Sequence, residues 1–71
     1  MNTNKMEVYK SLVLDGVALE KNRISFSQYA RLGKVYYQVH SDNYKCRASH
    51  IFKEADIDSA VHKFVELIKL S

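Results

Sequence analysis

From Arg23 to Leu32 the chain alternates with period two. That is the pattern of a half-buried β-strand, because successive side chains leave opposite faces of a sheet. Ile24, Phe26, Gln28, Ala30 and Leu32 fall on one side; Arg23, Ser25, Ser27, Tyr29 and Arg31 fall on the other. At Leu32-Gly33-Lys34 the parity switches. Val35, Tyr37 and Val39 now take the apolar side, and Lys34, Tyr36, Gln38 and His40 the polar one. Ser41-Asp42-Asn43 reads as the next turn, since short Asp and Asn side chains hydrogen-bond their own backbone. Tyr44 to Ser49 alternates again, with Tyr44, Cys46 and Ala48 opposite Lys45, Arg47 and Ser49. These segments read as consecutive antiparallel strands.

The tail has a different period. Ile57, Ala60, Val61, Phe64, Leu67 and Ile68 recur at helical spacing and form one apolar stripe. Glu54, Asp56 and Asp58 gather at its start, where the helix dipole is positive, and Asp56 or Asp58 can cap it. The start of the chain is ambiguous. Glu7 to Leu14 alternates imperfectly and ends at Asp15-Gly16, a strong hairpin signal between apolar runs, so it reads as a first strand. Val17 to Glu20 then begins the return strand. A helix through Met6, Tyr9, Leu12 and Val13 is the alternative.

The fold class expected is α+β: an antiparallel β-meander of three to five strands, packed on one face by a single C-terminal amphipathic helix. Seventy-one residues make one small domain, with residues 1–5 a loose tail. A hydrophobic fraction of 46% suits a folded protein rather than a disordered one. The lone cysteine cannot form an internal disulfide, and no apolar run approaches the roughly 18 residues of a membrane span. The first residues lack the apolar region of a secretory signal. A cytoplasmic protein without a membrane partner is the expectation.

Function is signalled by charge. Between Lys21 and Lys53 seven basic residues face one acid, Asp42, a net +6 in a chain of net +3. Tyr29, Tyr36, Tyr37 and Tyr44 lie in the same stretch. A basic segment interleaved with aromatics can attract a polyanion and stack on its bases. Parity assigns Tyr37, Tyr44 and Cys46 to the core. It leaves Arg23, Tyr29, Arg31, Lys34, Tyr36, His40, Lys45 and Arg47 as the contact candidates on the free face of the sheet. Cys46 with His40, His50 and His62 lacks the paired spacing of a structural zinc site, so no metal or other cofactor is expected. The acids are accounted for by the helix start, and a domain this small has little volume for a catalytic pocket. A non-enzymatic binding module is expected.

Tyr29-Ala30-Arg31-Leu32-Gly33, with the strand before it, the hairpin after it and the helical Asp58-Ser59-Ala60-Val61-His62-Lys63-Phe64, resembles a WGR domain over roughly Arg23 to Leu70. The resemblance implies a small sheet-plus-helix DNA-binding module in which Arg31 matches the signature arginine and Tyr29 the signature tryptophan, both DNA contacts. Tyr for Trp, and Ala30 for the signature glycine, depart from the family pattern. The architecture also resembles the DNA-binding arm of some phage integrases and small phage-encoded inhibitors such as anti-CRISPR proteins. The partner is therefore expected to be nucleic acid or an acidic protein surface. The alternative function is a phage-type inhibitor acting by protein contact. Open edge strands add homodimerisation as a second binding mode.

Overall fold

The alternating middle of the chain folds as a four-stranded antiparallel meander. The computed structural model, which describes residues 4–71, orders helix α1 (Lys5–Leu14), β1 (Leu19–Lys21), β2 (Ile24–Arg31), β3 (Lys34–Ser41), β4 (Ala48–Lys53), a short 3-10 turn (Glu54–Asp56) and α2 (Ile57–Leu70). Spatial order equals sequence order, so β1 and β4 are the edges. The protein is an α+β domain built on a β-meander.

Two tight turns fix the register. Asn22 and Arg23 join β1 to β2 at φ 54° and 66°, and Leu32 and Gly33 join β2 to β3 at φ 52° and 77°. Two consecutive positive φ values match the twist of the flanking strands. Asn and Gly suit such positions. Arg23 and Leu32 do not, and each left-handed residue of that kind costs roughly 1–2 kcal/mol. The β1–β2 turn is tied down from outside: the Arg23 carbonyl accepts from the Asp42 N–H at 3.0 Å, and the Asn22 carbonyl from Asn43 Nδ2 at 3.0 Å.

The core lies on one face of the sheet. Ile24, Phe26, Tyr37 and Val39 point inward to meet Ala60, Val61, Phe64 and Leu67 of α2 and Val13 of α1. Phe64 is the hub, with its ring 5.4 Å from Phe26 and 5.3 Å, edge-on, from Tyr9. Burying one such side chain contributes about 1.5–3 kcal/mol. The stripe read from the tail is the stripe that is buried, with Ile57 and Ile68 at its margins. No described helix is long and apolar enough to cross a membrane.

The start of the chain departs from its strand reading. Residues 5–14 are helical, and Asp15-Gly16 ends that helix instead of opening a hairpin. Asn4, placed with the tail in the sequence reading, is the cap, its Oδ1 accepting from the Met6 N–H at 2.8 Å. Residues 1–3 of that expected tail lie outside the described residues. At the other end Gly16 (φ 88°) donates to the Val13 carbonyl and Val17 to the Leu12 carbonyl, the double closure of a glycine-terminated helix. The same property of Gly16, tolerance of positive φ, suits both turn types, so the dipeptide alone does not choose between them. A second helix thus joins α2 over the sheet, and Lys10 Nζ meets Asp58 Oδ1 at 2.8 Å between the two. Asp58 is engaged in that contact and Asp56 makes no capping hydrogen bond, so the carboxylates act on α2 through charge alone.

The last strand begins later than its sequence pattern indicates, at Ala48 instead of Tyr44. Asn43 closes a turn on itself, its Oδ1 accepting from the Lys45 N–H at 2.9 Å and its carbonyl from the Cys46 N–H at 3.0 Å. Cys46 still reaches the core, with its thiol 3.4 Å from the Leu67 carbonyl oxygen. Tyr44 does not. It is 81% exposed on the loop, which corrects its assignment to the core.

Tyr37 is buried as expected, and burial pushes its phenol above the ordinary 10.0, with the negative charge of Glu54 adding to the effect. A raised folded-state value means that folding favours the protonated phenol. Its contribution is full below about pH 10 and is lost as pH rises through the folded-state value. The thermal midpoint is expected to fall above pH 10, and less steeply in Tyr37→Phe. Parallel alkaline profiles for the two proteins would remove Tyr37 as the cause.

Candidate functional site

Residues directly opposite in an antiparallel pair share a face, so the register determines what meets on the side of the sheet away from the helices. Moving from the β2–β3 turn, the rows are Arg31 with Lys34; Tyr29 with Tyr36 and Lys53; Ser27 with Gln38 and Ile51; and Ser25 with His40 and Ser49. The first two rows hold three cations and two tyrosines. The Tyr29 and Tyr36 rings stack at 5.5 Å between centroids and 24° between planes. Cross-strand aromatic pairs stabilise a sheet by roughly 0.2–1 kcal/mol, so the pair is partly structural. It also presents π surface among positive charges.

Around this pair the surface is concave. A pocket of about 370 Å³ is lined by Tyr29, Arg31, Leu32, Lys34, Tyr36 and Ile51. A second hollow of about 440 Å³ shares Lys34 and Tyr36 and adds Lys53, Glu54 and Ala55. Among the described residues none of Arg31, Lys34 and Lys53 takes part in an ion pair. Three cations without carboxylate partners can receive phosphate or carboxylate oxygens without first breaking an internal contact.

The eight residues singled out by the alternation divide into two groups. Tyr29, Arg31, Lys34 and Tyr36 form the patch just described. Arg23, His40, Lys45 and Arg47 lie toward the other end, about six residues or roughly 20 Å along the strands. Arg23 is a turn residue, not a strand residue, because the tight β1–β2 connection occupies Asn22-Arg23. Lys45 and Arg47 are exposed in the loop before β4 rather than on the sheet. His40 is on the free face, where its Nε2 lies 3.4 Å from Asp42 Oδ1. One sheet-wide contact surface is thereby corrected to a patch at the hairpin end plus a scattered basic rim.

Lys53 and Ile51 belong to the patch but not to the candidates named from sequence. Both depend on how far β4 runs: the alternation read over Tyr44 to Ser49 stops short of them, and the strand continues to Lys53. Read from Ala48, the alternation puts Ala48, His50 and Phe52 toward the helices and Ser49, Ile51 and Lys53 outward, and that signal was present in the sequence. Ile51 is 61% exposed, an aliphatic side chain left open beside two tyrosines. His50 lies on the helix side, 6.1 Å from the Phe52 ring, and His62 on the outside of α2. Among the described residues no three His, Cys, Asp or Glu side chains gather as a metal-ligand set.

Comparison with protein families, curated proteins and solved structures finds no match to this chain.

Proposed function

We propose that this protein is a non-enzymatic cytoplasmic module that binds nucleic acid through the hairpin end of its free sheet face. The observation that carries the reading is the stacked Tyr29–Tyr36 pair set among Arg31, Lys34 and Lys53, none of them in an ion pair among the described residues. Cations on a surface neutralise phosphates and release counterions, and aromatic faces accept bases of any sequence. In this reading Arg31, Lys34 and Lys53 take phosphates, and the tyrosines and Ile51 take bases. The DNA contacts that the WGR resemblance implies, Tyr29 and Arg31, fall in the same patch. Arg23, Lys45 and Arg47 supply longer-range attraction from the rim.

The test is affinity for a mixed-sequence oligonucleotide across salt. Binding is expected to be detectable at about 50 mM salt and to weaken steeply towards 200 mM. Undetectable binding at low salt would end this reading.

A second reading, a phage-type inhibitor acting by protein contact, has one observation in its favour. Val8, Leu14 and Val17 leave apolar surface exposed on and just beyond α1. Nuclease treatment before co-purification separates the two, because a nucleic-acid bridge is destroyed and a direct protein contact persists.

A further inference from the structure

We propose that the pocket between the tyrosine pair and Ile51 seats one unpaired nucleobase, so that the ligand of this face is single-stranded nucleic acid rather than duplex. This rests on the nucleic-acid reading above and narrows it. Three observations support the narrowing.

The first is the composition of the walls. Tyr29, Tyr36, Ile51 and Leu32 present ring and aliphatic surface, and Arg31 and Lys34 supply charge from the turn side. A flat, apolar-faced group with a phosphate attached fits that division. A duplex hides its base faces in the stack and offers only edges and phosphates. Phosphates alone would leave Ile51, 61% exposed, without a partner.

The second is size. At about 370 Å³ the pocket is within the roughly 300–1,000 Å³ range of small-ligand sites. It has room for a base and part of its sugar.

The third is shape. The Tyr29–Tyr36–Lys53 row at the centre of the patch spans three adjacent strands. A major groove about 12 Å wide admits a two-stranded ribbon, and three strands about 4.8 Å apart with their side chains are broader than that. The tyrosines are therefore kept away from base edges in a duplex, whereas a flexible single strand can lie along the face. Because the two rings already stack on each other, the platform is preorganised and little side-chain entropy remains to be lost on binding.

Anisotropy of one dye-labelled strand of about 12 nucleotides, alone and annealed to its complement, tests the inference at about 50 mM salt. The single strand is expected to bind about fivefold or more tightly than the duplex, the low end of what one stacked base supplies. Tyr36→Ala is expected to lower single-strand affinity about 5- to 150-fold, with Tyr36→Phe retaining it. Ile51→Ala changes only an exposed side chain and is expected to act in the same direction, which keeps the test valid if Tyr36→Ala proves poorly folded. Duplex binding equal to or tighter than single-strand binding would overturn the inference and leave the nucleic-acid reading standing. Absence of binding to both would overturn the two together. Unchanged single-strand affinity in folded Tyr36→Ala or in Ile51→Ala would remove the base seat.

Discussion

Phe64→Ala is expected to destabilise the domain by about 3–5 kcal/mol, the range for truncating a buried aromatic. Phe64 is the ring on which sheet and both helices converge, touching Phe26 of β2 and Tyr9 of α1 from its place on α2. Removing it leaves a cavity with walls on three elements, so no single rotamer change can close it. A single core in a domain below about 80 residues rarely supplies more than about 3–5 kcal/mol of stability. The loss is therefore comparable to the whole stability, and the variant is expected to be largely unfolded at 25 °C by circular dichroism and chemical denaturation. A cooperative transition within 1 kcal/mol of the parent, by the scale of a surface change, would show that the core is centred elsewhere.

The second large effect concerns binding. The triple variant Arg31→Ala, Lys34→Ala, Lys53→Ala is expected to lose roughly a few hundredfold in affinity for nucleic acid at about 50 mM salt. The figure follows from counterion release: each phosphate contact on a single strand contributes about 0.7 to the salt exponent, and three are removed. All three side chains are exposed and unpaired among the described residues, so the fold is expected to survive their truncation. The comparison protein is Arg23→Ala, Lys45→Ala, Arg47→Ala, which removes the same formal charge from the opposite end. Its affinity is expected to fall much less, because rim charges act through a screened field rather than by contact.

The sequence revealed the fold unevenly, for reasons that belong to particular residues. The α2 stripe was legible because a helix with one apolar face has one way to bury it. The pairing of β2 with β3 was legible because the parity switch at Leu32-Gly33 leaves a single register that buries Ile24, Phe26, Tyr37 and Val39 together. Helix α1 was not, because Val8 and Leu14 are apolar yet exposed. A helix apolar on both sides has weak periodicity, and Asp15-Gly16 then suggested a hairpin with equal force.

The site divided along the same lines. Tyr29, Arg31, Lys34 and Tyr36 follow from the hairpin register alone, so parity was enough to bring them together. Linear clustering of charge cannot tell which end of a strand a residue occupies. Arg23, Lys45 and Arg47 therefore joined the same list, although the turns set them apart at the other end as a rim. Lys53 and Ile51 needed the register of β4, which depends on the Asn43 turn and on Cys46 dipping under Leu67. The Asn43 turn is local, its side chain accepting from the backbone two residues on. The Cys46 contact is a tertiary fact, set by what the loop can bury once α2 is in place.

The central claim is that the hairpin-end patch, and not basic charge in general, holds nucleic acid. The most direct measurement is the slope of log affinity against log salt for a single-stranded oligonucleotide, taken on the parent and on the Arg31/Lys34/Lys53 triple variant. The expected result is a slope shallower by about 2 in the variant, as the loss of three phosphate contacts requires. Equal slopes in two folded proteins would contradict the claim, because the three cations would then touch no phosphate.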